Sequence, residues 1–182
     1  MNADEVNADE VNASHPVRTA VAASAVLVVG LWLLVVGVGR QPPPRADVDR
    51  EAARLGALAP YPPYVPGGLP AGWRPVSTRI TGSAADRPVA WHLEYVTPQG
   101  AYAALEESDE DPAAFVPRMA NRDRPVGTQQ VAGASWDRYY RPDKRQYSLA
   151  RRLPGVTLVV TGTAAYDELA TLAAALRSRP SP

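Results

Sequence analysis

The stretch VAWHLEYVTPQGAYAALEESDED, residues 89–111, decides how the chain is read. It holds one of the two histidines, His92, with Trp91 beside it, Glu94 two places on, and a run of carboxylates at its end. Val89, Trp91, Leu93 and Tyr95 alternate with His92 and Glu94, which is the period of a strand with one buried face. Thr97-Pro98-Gln99-Gly100 puts proline second and glycine fourth, the preference of a type I turn. The chain then returns as AYAALE. The segment reads as a β-hairpin, and that shape explains its residue types without catalysis.

The residues that follow have structural roles of their own. Asp111-Pro112 sets an acceptor at a helix N-cap and proline at the first helical position, ahead of Ala113, Phe115, Val116 and Met119. Pro117 is expected to kink or end this helix early. Four strands then read as a meander at 127–131, 135–140, 145–152 and 156–162, broken at Ala132-Gly133, at RPDK and at Leu153-Pro154-Gly155-Val156. VTLVV is nearly continuous apolar sequence and belongs at the sheet's centre. Thr163 is placed as the cap of a helix whose Tyr166, Leu169, Leu172, Ala173 and Leu176 form one stripe, with Arg177 in its last turn and Pro180 as its stop.

Upstream, VSTRIT (76–81) alternates as a strand. Residues 46–59 read as a short helix with Val48, Ala52, Leu55 and Leu58 or Ala59 on one face. PYPPYVPGGLPAGWRP (60–75) is a loop that Tyr61, Tyr64, Val65, Leu69 and Trp73 anchor to the domain. The expected fold class is α+β: an antiparallel sheet of about six to seven strands with a C-terminal helix packed on one face.

Thr19 to Val38 is a run of twenty uncharged residues between Arg18 and Arg40. As a helix it would be about 30 Å long, the thickness of a bilayer's hydrocarbon core. Only a helix satisfies every backbone group in lipid, so a single transmembrane helix over 19–38 is expected, with the bilayer as a partner. A cleaved signal peptide would have a shorter apolar region and a better cleavage site than VGVGRQPPPR. The expected organisation is an acidic tail over 1–18, which opens with NADEVNADEV, the span, a proline-rich spacer with a short helix and loop over 39–75, the domain over 76–178, and a short tail at 179–182. Arg40, Arg45, Arg50 and Arg54 outnumber Arg18 across the span, but that rule weakens before a long domain.

Nineteen acidic and nineteen basic residues cancel, so net charge advertises no polyanion, and no nucleic-acid partner is expected. The cancellation is uneven: residues 1–111 carry 8 basic and 14 acidic groups, whereas 112–152 carry 9 and 3. The absence of cysteine excludes disulfides, thiolate metal sites and cysteine nucleophiles. No Walker glycines, dinucleotide fingerprint or metal-ligand spacing occurs, so no cofactor or metal is expected.

A catalytic triad would have to use His92, because His15 precedes the apolar run. Ser135, in GASW, lacks the strand-to-helix elbow of a hydrolase serine, so His92 is read as an exposed strand histidine. Glu94, Glu106 and Glu107 would come close in the hairpin and could serve a glycosidase-like carboxylate pair, but a solvated rim explains them more simply. Asp109 and Asp111 lack the glycine and spacing of a calcium loop. The basic stretch SWDRYYRPDKRQYSLARR (135–152) interleaves arginine with aromatic rings. A tight turn would put Trp136, Arg138 and Tyr140 opposite Arg145, Tyr147 and Leu149. Arg138, Tyr140, Arg145 and Tyr147 are therefore the candidate binding surface for an envelope polyanion or acidic protein, against the plainer reading of cross-strand packing.

The single N-terminal span followed by APYPPYVPGGLPAGWRP, WHLEYVTPQGAYAALEES, GASWDRYY and GVTLVVTGTAAYDELATLAAAL resembles an actinobacterial membrane-protein family, domain of unknown function 4245. The likeness runs from about residue 17 to 178. It implies a membrane-anchored domain facing outward from the cytoplasm, and brings no activity, cofactor or catalytic residue. The expected function is a non-catalytic binding or interaction domain at the cell envelope. The alternatives are an envelope hydrolase using Glu94 with Glu106 or Glu107 around His92, and a regulator facing the cytoplasm.

Overall fold

The computed structural model describes residues 47–179, apart from 84 and 86. The expected span at 19–38 lies outside them, and among the described residues no helix is long and apolar enough to cross a membrane. The described chain forms α1 (Val48–Leu58), β1 (Tyr64–Pro66), β2 (Arg74–Ser83), β3 (Arg87–Val96), β4 (Tyr102–Ser108), α2 (Pro112–Ala120), β5 (Gly127–Val131), β6 (Ala134–Arg141), β7 (Gln146–Leu153), β8 (Val156–Gly162), α3 (Tyr166–Ala175) and β9 (Leu176–Ser178). Seven strands form one antiparallel sheet in the order β2-β3-β4-β8-β7-β6-β5, and β1 pairs with β9 in a separate two-stranded ribbon.

The alternation in 89–95 does what its period implies. Val89, Trp91, Leu93 and Tyr95 are buried, while His92 and Glu94 turn to the other face. β8 occupies the central place, with Val156 to Val160 all buried, as its continuous apolar sequence requires. On the Trp91 face, Leu93, Leu105, Val160 and Leu149 line up through the register and meet Leu55 of α1 with Leu169 and Leu172 of α3. Burying each of these large side chains contributes about 1.5–3 kcal/mol.

The C-terminal helix α3 packs on the Trp91 face as expected, and a second helix covers the other face as well. On the opposite face α2 buries Phe115, Val116 and Ala120 against Tyr139, Ala150 and Val159. That helix begins as its sequence dictates, with Asp111 accepting the Ala113 N–H at 2.9 Å and Pro112 in its first turn. Pro117 does not end it. The proline removes one backbone donor, but the burial of Ala120 beyond it carries the helix to Asn121, whose φ of 53° stops it.

Two further expectations are corrected towards the C-terminal end of the domain. Thr163 does not cap α3. Its Oγ1 accepts the Tyr102 N–H at 3.1 Å, and Ala165 is the uncapped N-cap. Leu176 and Arg177 leave the helix and enter β9, because pairing with Val65 and Pro66 satisfies the backbone in place of another helical turn. The 60–75 loop is packed on the domain as its anchors imply, with Tyr61 and Val65 buried, and it carries β1 within it.

Candidate functional site

The β3–β4 register sorts the hairpin's carboxylates. His92 faces Glu106, Trp91 faces Glu107 and Glu94 faces Ala104, so Glu106 and Glu107 lie on opposite sides of the sheet. These two neighbours cannot form a dyad. His92 Nδ1 and Glu106 Oε1 are 2.6 Å apart and partly buried, and this bond raises the imidazole pKa above its ordinary value, against the opposing pull of burial. Arg79 is the β2 neighbour of His92.

Glu107 is not part of a solvated rim. It is fully buried, and among the described residues its carboxyl group accepts only the Tyr64 N–H, at 3.1 and 3.4 Å to its two oxygens. Burial holds its pKa well above the usual carboxylate range, and the Tyr64 bond offsets that only in part. A signal for this was present in the sequence: Ala103, Leu105 and Glu107 share one parity in AYAALEES, so an acid was assigned to an apolar row.

The proposed basic surface is rearranged by its turn. Pro142–Lys144 form a single 3-10 turn and Arg145 follows with φ 48°, so Tyr140 faces Tyr147 and Arg141 faces Gln146. Arg145 therefore sits at the exposed turn and not across from the aromatic row. Tyr140 and Tyr147 stack with centroids 4.8 Å apart, and Tyr147 meets Tyr166 of α3 edge-on at 5.0 Å. The Arg138 guanidinium lies 3.8 Å above the Tyr166 ring, while the Tyr166 hydroxyl donates to the Tyr139 carbonyl at 2.8 Å. Packing has claimed Arg138, Tyr147 and Tyr166 as a unit that joins α3 to the sheet. Tyr166 was missed as part of it because a helix residue shows no cross-strand spacing.

Beside this unit lies an open cleft of about 630 Å³, lined by residues 121–126 of the loop after α2, by Pro117, and by Tyr140 and Pro142. Arg122 Nε donates to the Tyr140 carbonyl at 3.2 Å, which fixes that wall. Arg141 is paired with Asp143, Arg152 with Asp137 and Arg118 with Glu110. Among the described residues, Arg122, Arg124, Lys144 and Arg145 make no salt bridge, and all four are exposed. Asp123 is the one acidic residue lining the cleft. Such an arrangement can hold an anion by forked guanidinium contacts. It carries no paired nucleophile and base. Among the described residues no cluster of His, Asp and Glu could hold a metal ion.

A family model described as "Protein of unknown function (DUF4245)" matches residues 17–176. The chain belongs to this family. No curated protein matches it. The DUF4245 match takes in the whole seven-stranded sheet, α1, α2 and α3, and so contains the hairpin and the basic cleft alike.

Proposed function

We propose that this DUF4245 chain is a non-catalytic binding protein, held in the bilayer by residues 19–38, whose domain takes an anionic polymer of the cell envelope. The observation that carries the reading is the pair of cations Arg122 and Arg124 lining an open cleft walled by Tyr140, which, like Lys144 and Arg145 in the nearby β6–β7 turn, make no salt bridge among the described residues. Phosphate or carboxylate groups repeated along a polymer match several arginines with little demand on shape. The uncharged run from Thr19 to Val38 supports the anchor, and the outward orientation that the family resemblance implies favours an extracytoplasmic domain. The hydrolase alternative is weaker: His92 already engages Glu106, and neither the cleft beside Tyr140 nor a smaller one beside Arg87 borders His92, Glu94 or Glu106.

Titration of the full chain in neutral-lipid discs with inorganic polyphosphate tests the ligand class. Binding should weaken at least tenfold in Arg122→Glu/Arg124→Glu and fall steeply with salt. Equal binding by the double variant sinks the reading, and a salt-insensitive interaction seen only with proteins points to an acidic partner instead. Sidedness is read separately. The chain has no cysteine, and Gln99 lies exposed in the β3–β4 turn, so Gln99→Cys should react with an impermeant thiol reagent in intact cells. Labelling only after permeabilisation would place the domain inside.

A further inference from the structure

Glu107 lies among apolar side chains in the main core. Trp91 is its neighbour across β3 and Leu158 across β8, and both are fully buried. From above, Tyr61 and β1 close over it, and the Tyr64 N–H is its hydrogen-bond donor. β1 otherwise spends its backbone bonds on β9, through Tyr64–Ser178, Val65–Arg177 and Pro66–Leu176, while Gly67 N–H reaches the Ala175 carbonyl. Among the described residues, the hydrogen bonds from the β1 strand to the seven-stranded sheet are those to the Glu107 carboxyl group. A two-stranded ribbon on its own is at best marginally stable. Its seat on the sheet therefore depends on this one polar contact and on the apolar burial of Val65.

We propose that Glu107 is a proton-operated latch: as the neutral acid it seats the β1–β9 ribbon on the sheet, and on losing its proton to solvent it releases the ribbon. The carboxylate left by ionisation would face Trp91 and Leu158 with a single N–H for compensation, a cost the molecule avoids by opening the ribbon and admitting water. The groups facing Glu107 do not offset that charge. Tyr61 is a phenol that burial above all keeps in its neutral form, and the core cluster that holds Trp91 and Leu158 adds the apolar side chains of Leu169 and Leu172 from α3 and Leu55 from α1. His92 and Glu106 are on the far side of the sheet. Asp109 itself accepts the Val89 N–H at 2.7 Å and adds negative charge to the neighbourhood. The raised pKa of Glu107 agrees with this geometry.

Amide exchange on the full chain, corrected for its intrinsic pH dependence, tests the latch. In the wild type the opening constant of residues 64–66 and 176–178 should rise by about tenfold per pH unit above the ordinary carboxylate range, since one proton leaves on opening. Protection of β8 should stay constant over that interval. Glu107→Gln keeps an acceptor for Tyr64 and cannot ionise, so its ribbon should show no such slope. The same slope in wild type and variant, or loss of ribbon and β8 protection together, would overturn the proposal. Infrared spectroscopy of the wild type gives a readout that needs no variant: the protonated-carboxyl band of a buried acid should vanish in step with ribbon opening. A band that disappears while the ribbon remains protected would equally overturn it.

Discussion

His92 Nδ1 lies 2.6 Å from Glu106 Oε1 across the β3–β4 ladder, on the opposite side of the sheet from Glu107, the next residue in the chain. One strand thus presents an acid that stabilises a positive charge beside an acid kept out of water. The difference comes from register parity alone.

The first consequence concerns pH. The folded-state pKa of His92 stands above 6.5, so the stability it contributes is complete below that value and is lost as pH rises through the folded pKa. Glu106→Gln should lower the His92 midpoint, because burial and Arg79 both oppose the charge and only Glu94 then favours it. Proton NMR reads this directly in a chain with two histidines. An unmoved midpoint would show that Glu106 does not hold the imidazole proton.

Tyr166 offers two separable contributions. Tyr166→Phe removes the bond to the Tyr139 carbonyl but keeps the ring under Arg138, and should cost about 1–2 kcal/mol. Tyr166→Ala also removes the ring from Arg138 and Tyr147 and should cost about 3 kcal/mol or more. Chemical denaturation of the two variants measures the difference.

Gly162, where β8 passes β4, has no room for a side chain. A Cβ there would stand 2.1 Å from the Tyr102 carbonyl oxygen, so Gly162→Ala should destabilise by roughly 3 kcal/mol or lead to misfolding. Gly155, in the β7–β8 turn, has φ 77° and open space, and Gly155→Ala should cost only about 1 kcal/mol. Thermal midpoints of the pair test whether close approach or backbone conformation governs each glycine.

Leu55 is fully buried although α1 precedes the sheet by a proline-rich loop. Leu55→Ala should lower stability by roughly 2–4 kcal/mol in a single cooperative transition. A separate early transition, with the sheet intact, would show that α1 only rests on the core.

Much of this fold is legible in the sequence where periodicity and turn chemistry agree. The strict alternation of 89–95, the Asp111-Pro112 cap and the Pro154-Gly155 turn each appear where their residues point. β1 and β9 were hidden because each is three residues long and they pair across nearly the whole domain. No local period can announce such a contact. The continuation of α2 past Pro117 was hidden for a different reason: burial of Ala120 outweighs a local helix breaker. In the candidate site, hairpin reasoning put Tyr140 and Tyr147 on one face but set Tyr140 opposite Arg145, whereas its partner is Tyr147. Arg145 slipped out of that face because the turn takes in residues 142–145 instead of 141–144, a one-residue shift that Pro142 alone does not specify. Arg122 and Arg124 were counted among the basic residues but not placed, since the loop after α2 has no pattern to place them.

The clasp between β1 and β9 also sets an order of events. The β5–β8 strands are joined by short turns and can close as soon as they are made, whereas the ribbon needs both ends of the domain at once. During synthesis the seam over Glu107 stays open until Ser178 has emerged, and a chain cut before Leu176 would never close it. The last residues of the domain are therefore its fastener, so a reporter fused there reads the fastening itself.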